Sequence, residues 1–251
     1  MDFSVIIPAY NEVTTIGPCL VRVAAALPET RKEIVIVDDG STDGTREWLR
    51  ANVDALEAEN CALALDDTVA LTVVEGDARA IVFHDHNRGK GGALQTGLAT
   101  VSGAVIVIQD ADLEYDPADW CEMYDLIVAR GVADVVYGSR FYGRPHRALY
   151  FHHYMANRFI SFLFNLLFNQ QLTDIEVCYK MFTRPVLESL RITANDFGFE
   201  VQFSAQVALA RRWRIYELGI RYFGRTYEEG KKINWKDGVK ALWYLLKYRF
   251  E

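Results

Sequence analysis

Val105-Ile106-Val107-Ile108-Gln109-Asp110-Ala111-Asp112-Leu113-Glu114 is an apolar run that ends in three acids at alternate positions. Such a run, 104–108, is a buried strand, and the acids sit where it leaves the sheet. Side chains alternate along extended chain, so Asp110 and Asp112 point to one side, with Glu114 close enough to join them. Hard oxygen donors so gathered suit Mg²⁺ or Mn²⁺, ions that share carboxylate and phosphate ligands. The alternative for this run by itself is a turn whose acids face water.

Outward from it, short β-rich runs alternate with helical patterns. Strands are expected at 3–8, 33–37, 80–84, 104–108 and 134–137, and helices at 15–27, 43–53, 91–101 and 118–130. Continuous apolar strands between helices indicate a mostly parallel α/β sheet covered on both faces. Ligands of such sheets collect beyond the carboxyl ends of the strands. Here those ends carry Ala9-Tyr10-Asn11-Glu12, Asp38-Asp39-Gly40-Ser41, the acids 110–114 and Gly138-Ser139-Arg140. Four polar strand ends on one edge make a site.

The segment 60–85 reads as a peripheral hairpin, 69–74 with 79–83, turning at Gly76-Asp77. The second half is less regular: helices at 147–169, 199–211 and 234–248, strands at 179–182 and 215–223. No repeat, low-complexity tract or linker interrupts the chain, so residues 1–251 are read as one domain.

The 251 residues are 51% apolar and 24% charged, enough for a sizeable core. A net charge of −7 excludes a general nucleic-acid binder, which needs a basic surface to displace counterions. Cys19, Cys61, Cys121 and Cys178 form no CxxC pair and read as reduced thiols of a cytoplasmic protein. The first strand starts at once after Met1, leaving no room for a signal peptide, and no apolar stretch is long enough to span a bilayer.

In Asp38-Asp39-Gly40-Ser41-Thr42-Asp43-Gly44-Thr45, Gly40 allows a tight turn and Asp43 is the expected N-cap of the next helix. Asp38 and Asp39 repel one another unless something binds them, and a carboxylate here can accept from a base N–H or a ribose hydroxyl. Asn87-Arg88-Gly89-Lys90-Gly91-Gly92 is not a P-loop, because Gly91 stands where Ser or Thr is required. It reads as a glycine-rich turn that leaves Lys90 near the substrate. The histidines show no metal-ligand spacing and are read as structural or surface residues.

With Pro8-Ala9-Tyr10-Asn11-Glu12, Val37-Asp38-Asp39-Gly40-Ser41 and Asp110-Ala111-Asp112 in order, the chain resembles the family 2 glycosyltransferases, which have the Rossmann-like GT-A fold. Within them it is most similar to the dolichyl-phosphate mannose synthase and polyprenyl-phosphate hexosyltransferase group. The resemblance implies that Pro8, Tyr10, Glu12, Val37 and Asp39 hold the nucleoside. It implies that Asp110, Ala111, Asp112 and Glu114 handle the metal, Mg²⁺ or Mn²⁺, and the donor sugar. Many relatives have Gln where this chain has Glu114, still an oxygen ligand. Arg140 is implied at a phosphate, for which a guanidinium fork is suited. Arg225 and Lys231 match the spacing of the family's C-terminal flexible loop and are candidates to close over the diphosphate.

The expected reaction is inverting transfer of a hexose from UDP- or GDP-sugar to a polyprenyl phosphate. Residues 1–140 would bind the donor and 141–251 the acceptor. Were the acceptor a sugar hydroxyl instead, a carboxylate base would be needed, and Asp174 in Thr173-Asp174-Ile175-Glu176 is the candidate by position. A non-catalytic nucleotide-binding protein is the reading from another class. The aromatic stretch 151–169 and the Lys- and Trp-bearing stretch 235–250 are amphipathic. They suit contact with the cytoplasmic face of a membrane, or packing on the domain or a homo-oligomer interface.

Overall fold

The computed structural model describes residues 2–52, 62–66, 69–72, 78–230 and 235–251. Apolar runs become strands β1 (Phe3–Ala9), β2 (Lys32–Asp38), β6 (Val105–Ile108) and β7 (Val135–Ser139), nearly every residue of them buried. With β5 (Ala78–Phe83), β8 (Lys180–Thr183) and β9 (Ile215–Gly219) they form one seven-stranded sheet, in the order β5-β2-β1-β6-β8-β7-β9. Val5, Ile7, Ile34, Ile36, Val107 and Val136 are among its fully covered core residues.

The helices are α1 (Ile16–Ala25), α2 (Thr45–Ala51), α3 (Lys90–Thr100), α4 (Trp120–Tyr124), α5 (Phe151–Phe168), α6 (Arg184–Ser189), α7 (Gly198–Ala210) and α8 (Trp235–Phe250). Among the described residues the expected helix 118–130 is broken into a 3-10 turn, α4 and a π turn at Asp125–Ala129. The wider turn is closed by Arg130 N donating to Asp125 O at 2.8 Å. The helix expected from residue 147 begins at Phe151.

The hairpin expected at 69–83 is not formed. β5 instead lies parallel to β2, Val35 opposite Ala80, while β4 (Val69–Thr72) pairs antiparallel with β3 (Ala62–Asp66). Gly76-Asp77, read as the turn, lies outside the described residues. The apolar edge of β2 is satisfied by a parallel neighbour, which local turn chemistry does not reveal.

One strand runs against the others. β8 is antiparallel to both β6 and β7, with Val107 opposite Met181 and Val136 opposite Met181. Its beginning, Lys180, therefore lies on the edge where β1, β2, β6 and β7 end. That reversal carries the segment 173–179 to the same edge as the acids 110–114.

Gly40 is required on two counts. Its φ is +74°, and a Cβ would fall 2.6 Å from Asn87 N and from His86 C.

Candidate active site

The strand ends border a cavity of about 1250 Å³. That volume is above the usual range for a single small ligand. Pro8, Ala9, Tyr10 and Glu12 line it from β1, and Asp39 from β2. Asp110, Ala111, Asp112 and Glu114 line it from β6, Arg140 from β7, and Arg225 from the segment after β9. Three expected residues are not placed there. Val37 is fully buried in the sheet, Asp174 is fully buried outside the lining, and Lys231 lies outside the described residues.

Two of these loops turn through non-glycine residues in the left-handed region, Asn11 at φ 53° and Leu113 at φ 62°. Such a conformation costs about 1–2 kcal/mol for a residue with a Cβ. Local bonds hold both turns. Asn11 N donates to Ser41 Oγ at 3.0 Å and Asn11 Oδ1 accepts from Thr42 N at 2.8 Å. Asp112 Oδ1 accepts from Glu114 N at 3.1 Å.

The two acids at the end of β2 each have a protein partner. Asp38 Oδ2 takes Arg46 Nε at 2.8 Å. Asp39 Oδ1 takes His84 Nδ1 at 2.8 Å and Arg88 N at 2.9 Å. Both bonds of Asp39 fall on one oxygen. His84, buried and held on its other side by Thr96 Oγ1 at 2.9 Å, is thus structural support for Asp39. Asp43 is not the N-cap of α2, which is Gly44 in a left-handed conformation. Its carboxylate instead bridges the two loops, accepting from Thr45 N at 3.0 Å and Val13 N at 3.1 Å. The helix starts one residue late because that bridge fixes Asp43 outside it.

At the acids of β6, a cation of the chain itself occupies the centre. The Arg225 guanidinium reaches Asp112 Oδ2 at 3.0 Å, Glu114 Oε1 at 3.2 Å, and Glu12 with both outer nitrogens at 3.2 Å. Glu114 also anchors the backbone that delivers this arginine. Its Oε1 accepts from Arg225 N at 2.9 Å, its Oε2 from Tyr222 OH at 2.7 Å, and its carbonyl from Phe223 N at 2.9 Å. Burial, with Asp110 and Glu114 nearby, pushes the Asp112 carboxyl up to about 7, against the pull of Arg225.

An all-oxygen donor set that already gathers around a positive charge fits a hard divalent cation in its chemistry. Among the described residues, however, no three such side chains stand close enough together to grip an ion as they are. Arg225 lies between them.

Asp110 is separately engaged. Lys90 Nζ lies 2.9 Å from its Oδ1 and 3.0 Å from its Oδ2, and 3.5 Å from Glu200 Oε1. Burial works against the Lys90 charge, yet Asp110, Cys178 and Glu200 hold it well above the ordinary lysine range. Its loop is shaped by close packing, since a Cβ on Gly91 would overlap Ala194 O.

Arg140 is held by Asp174 as a fork, Nε to Oδ2 at 2.7 Å and Nη2 to Oδ1 at 2.7 Å, with Arg140 N on Oδ2 at 3.2 Å. Asp174 spends both oxygens on this pair. Sequence reasoning missed Glu176, Cys178 and Glu200, which also line the cavity. A signal for Glu200 was present: it is the one charged residue in the otherwise apolar and neutral run of α7, Gly198–Ala210. A lone acid in such a helix needs a buried counter-ion, and Lys180 provides it.

The far wall of the cavity is different in kind. It is formed by α5 and α8, with Phe151, Tyr154, Phe159, Ile160 and Val239 among its lining residues.

A family model described as Glycosyl transferase family 2 matches residues 4–191. The chain belongs to glycosyl transferase family 2. Its sheet, with α/β crossovers and a single reversed strand beside β6, is the GT-A fold of that family. Glucosyl-3-phosphoglycerate synthase from Mycobacterium tuberculosis, crystallised with Mn²⁺ and UDP, superposes with a TM-score of 0.67. The match covers 98% of this chain and 79% of that one at 19% identity, a likeness of fold. Among curated relatives, a dodecaprenyl-phosphate galacturonate synthase of Rhizobium johnstonii is 26% identical over 92% of this chain and 62% of its own length. Glycosyltransferase AglJ of Haloferax volcanii is 25% identical over 81% of this chain and 57% of its own. An undecaprenyl-phosphate mannosyltransferase of Micrococcus luteus is 28% identical over 90% and 85%. The chain thus spans less than two thirds of the first two of these family members.

Proposed function

We propose that this family 2 chain transfers a hexose, with inversion, from a UDP- or GDP-sugar to a polyprenyl phosphate. The observation that carries the reading is that one cavity joins a carboxylate- and arginine-edged polar end to an aromatic wall on α5 and α8. A sugar nucleotide suits the first and a prenyl chain the second. Relatives whose names specify dodecaprenyl or undecaprenyl phosphate support it.

In this reading Asp39, steadied by His84, accepts from the nucleoside, and Pro8, Tyr10 and Glu12 complete that wall. Asp112 and Glu114 would hold Mg²⁺ or Mn²⁺, with the donor diphosphate supplying further oxygens. Such a cation neutralises the charge that develops on the departing nucleoside diphosphate. Arg225 leaves the carboxylates for the diphosphate, joined by Lys231, and adds electrostatic stabilisation there. Asp110, pinned by Lys90, faces the hexose. Arg140, fixed in direction by Asp174, positions the acceptor phosphate, whose oxygen attacks the anomeric carbon from the side opposite the leaving group. The geometry gives no support to Asp174 as a base, since both of its oxygens are committed to Arg140. Residues 1–140 would carry the donor and 141–251 the acceptor, with α5 and α8 resting on the membrane that contains it.

The test is release of nucleoside diphosphate from a panel of UDP- and GDP-sugars with Mn²⁺, with and without a short polyprenyl phosphate. Release that needs the lipid phosphate and vanishes with EDTA is the expected result. Release that ignores the lipid phosphate and needs a sugar hydroxyl would replace this reading.

A further inference from the structure

Four carboxylates and three cations, Arg140 among them, lie at the floor of the cavity or buried just beneath it. Three pairs account for six of them: Arg140 with Asp174, Lys90 with Asp110 at 2.9 Å, and Lys180 with Glu200. Glu176 is the acid left over. It is half-buried, lines the cavity, and among the described residues no hydrogen bond or ion pair reaches its carboxyl. It sits two residues after Asp174 on the lead-in to β8, which the reversal of that strand brings to the strand-end edge. Glu200, which also lines the cavity, has a buried oxygen, Oε1, that accepts no hydrogen bond and meets only the more distant Lys90 Nζ at 3.5 Å.

A site so rich in carboxylates repels a phosphate dianion unless a proton is shared. We propose that Glu176 is the acceptor-binding residue that shares one proton with the acceptor phosphate, donating to it when the two meet. This rests on the reading of the acceptor as a polyprenyl phosphate. The groups that act on Glu176 favour such a role. Burial pushes its carboxyl up to about 7; Arg140 pulls it down, Asp174 and Glu200 push it up, and Lys180 pulls it down. Lys90 stands behind Glu200 at 3.5 Å. The second ionisation of a phosphate monoester falls near 6, about one unit away, so a single proton is readily held between the two. Bound in this way, the phosphate keeps one oxygen on Glu176 and turns another toward Arg140 and the sugar.

The proton is measurable without turnover. Farnesyl phosphate is titrated into the chain by calorimetry at pH 8 with Mn²⁺ and UDP or GDP, in two buffers of different ionisation enthalpy. At that pH both free groups are mostly ionised, so the wild-type chain is expected to take up about one proton on binding. Glu176→Gln, which keeps shape but cannot exchange the proton, is expected to take up none. Glu176→Asp is expected to restore uptake, and it stands in if the Gln variant does not fold. Wild-type binding without proton uptake overturns this inference and leaves the acceptor reading intact, as does equal uptake in the Gln variant. No binding of farnesyl phosphate by the wild type overturns both. Inorganic phosphate as a second titrant separates the two sources: linkage with farnesyl phosphate alone assigns the lipid, and linkage with both assigns the phosphate head.

Discussion

Arg225 Nη2 lies 3.0 Å from Asp112 Oδ2, so that the acid proposed to bind a divalent cation is already paired with a side chain more than a hundred residues away. The same guanidinium spans Glu12 and Glu114, tying together the ends of β1 and β6 and the segment after β9.

On the proposed reading arginine and metal compete for these oxygens. Arg225→Ala should therefore bind Mn²⁺ more tightly in the absence of nucleotide, by about tenfold, equivalent to about 1.4 kcal/mol. Transfer should fall in the same variant, because the diphosphate loses its counter-charge. Calorimetry of Mn²⁺ binding decides the point. Unchanged or weaker binding would mean that the arginine organises the carboxylates and does not compete for them.

Asp174→Ala leaves the Arg140 guanidinium buried without its fork. Breaking a buried pair from one side costs about 3–5 kcal/mol, and urea denaturation should show a loss of that size. Asp174→Asn keeps the shape and one acceptor, and should fold with a smaller loss. Its transfer to a phosphate acceptor should drop by a factor that does not vary with pH, since the fault lies in aiming Arg140. A loss that deepens as the pH rises, where a carboxylate base would be ionised in the wild type, would instead return Asp174 to a proton-handling role.

Glu176 makes stability depend on pH in a stated direction. Its carboxyl ionises near 4.5 in the unfolded chain and near 7 when folded. Between those values the folded state holds more protons, so stability falls as the pH rises from about 4.5 through about 7. Glu176→Gln removes that slope and should be the more stable protein at pH 8, by roughly 1–3 kcal/mol. Thermal melts of both proteins across pH 5–8 check it; parallel curves would show that the carboxyl does not titrate in this range.

Along α5, Met155, Phe159, Phe162 and Leu166 repeat at intervals of four, three and four, and all are exposed, Leu166 by 69%. Ile160, Phe164 and Phe168 form the opposite stripe and are buried. Among the described residues no helix is long and apolar enough to cross a membrane. On the proposed reading the outer stripe rests on the surface of a bilayer. Phe162→Asp with Leu166→Asp should weaken co-sedimentation with anionic phospholipid vesicles by at least tenfold, since each large apolar side chain contributes about 1.5–3 kcal/mol when buried. Turnover of a water-soluble prenyl phosphate should be unchanged. Equal vesicle binding would assign the stripe to another contact.

The legible parts of this molecule were those written in consecutive residues. Apolar runs gave the strands, and the polar residues following each run named most of the cavity lining, because a parallel sheet puts strand ends on one edge by geometry alone. What stayed hidden depended on pairing across the chain. The hairpin expectation failed because β5 found β2, a partner separated by the whole segment 39–77. Glu176 shows in the sequence only as a neighbour of Asp174, and Lys180 falls in the expected strand 179–182; only the antiparallel register of β8 brings both to the edge that carries Asp110 and Arg140. Asp174 showed as an acid in a promising place, and nothing local revealed that Arg140 had claimed both its oxygens. His84 passed as a structural residue, which it is, but its support of Asp39 required the fold.

The reversal of β8 has a further meaning for how such a protein can change. The acids 110–114 and Asp39 hang from strands whose order and direction are fixed by the parallel core. Glu176, Arg140 and the α5 side of the apolar wall belong to the stretch 140–179, which leaves the sheet at the end of β7 and re-enters it through β8. That excursion can be lengthened, shortened or rewritten while the register of β1, β2 and β6 stays as it is. On the proposed reading, diversification of what receives the sugar can then proceed largely in one continuous insert, without renegotiating how the sugar is delivered.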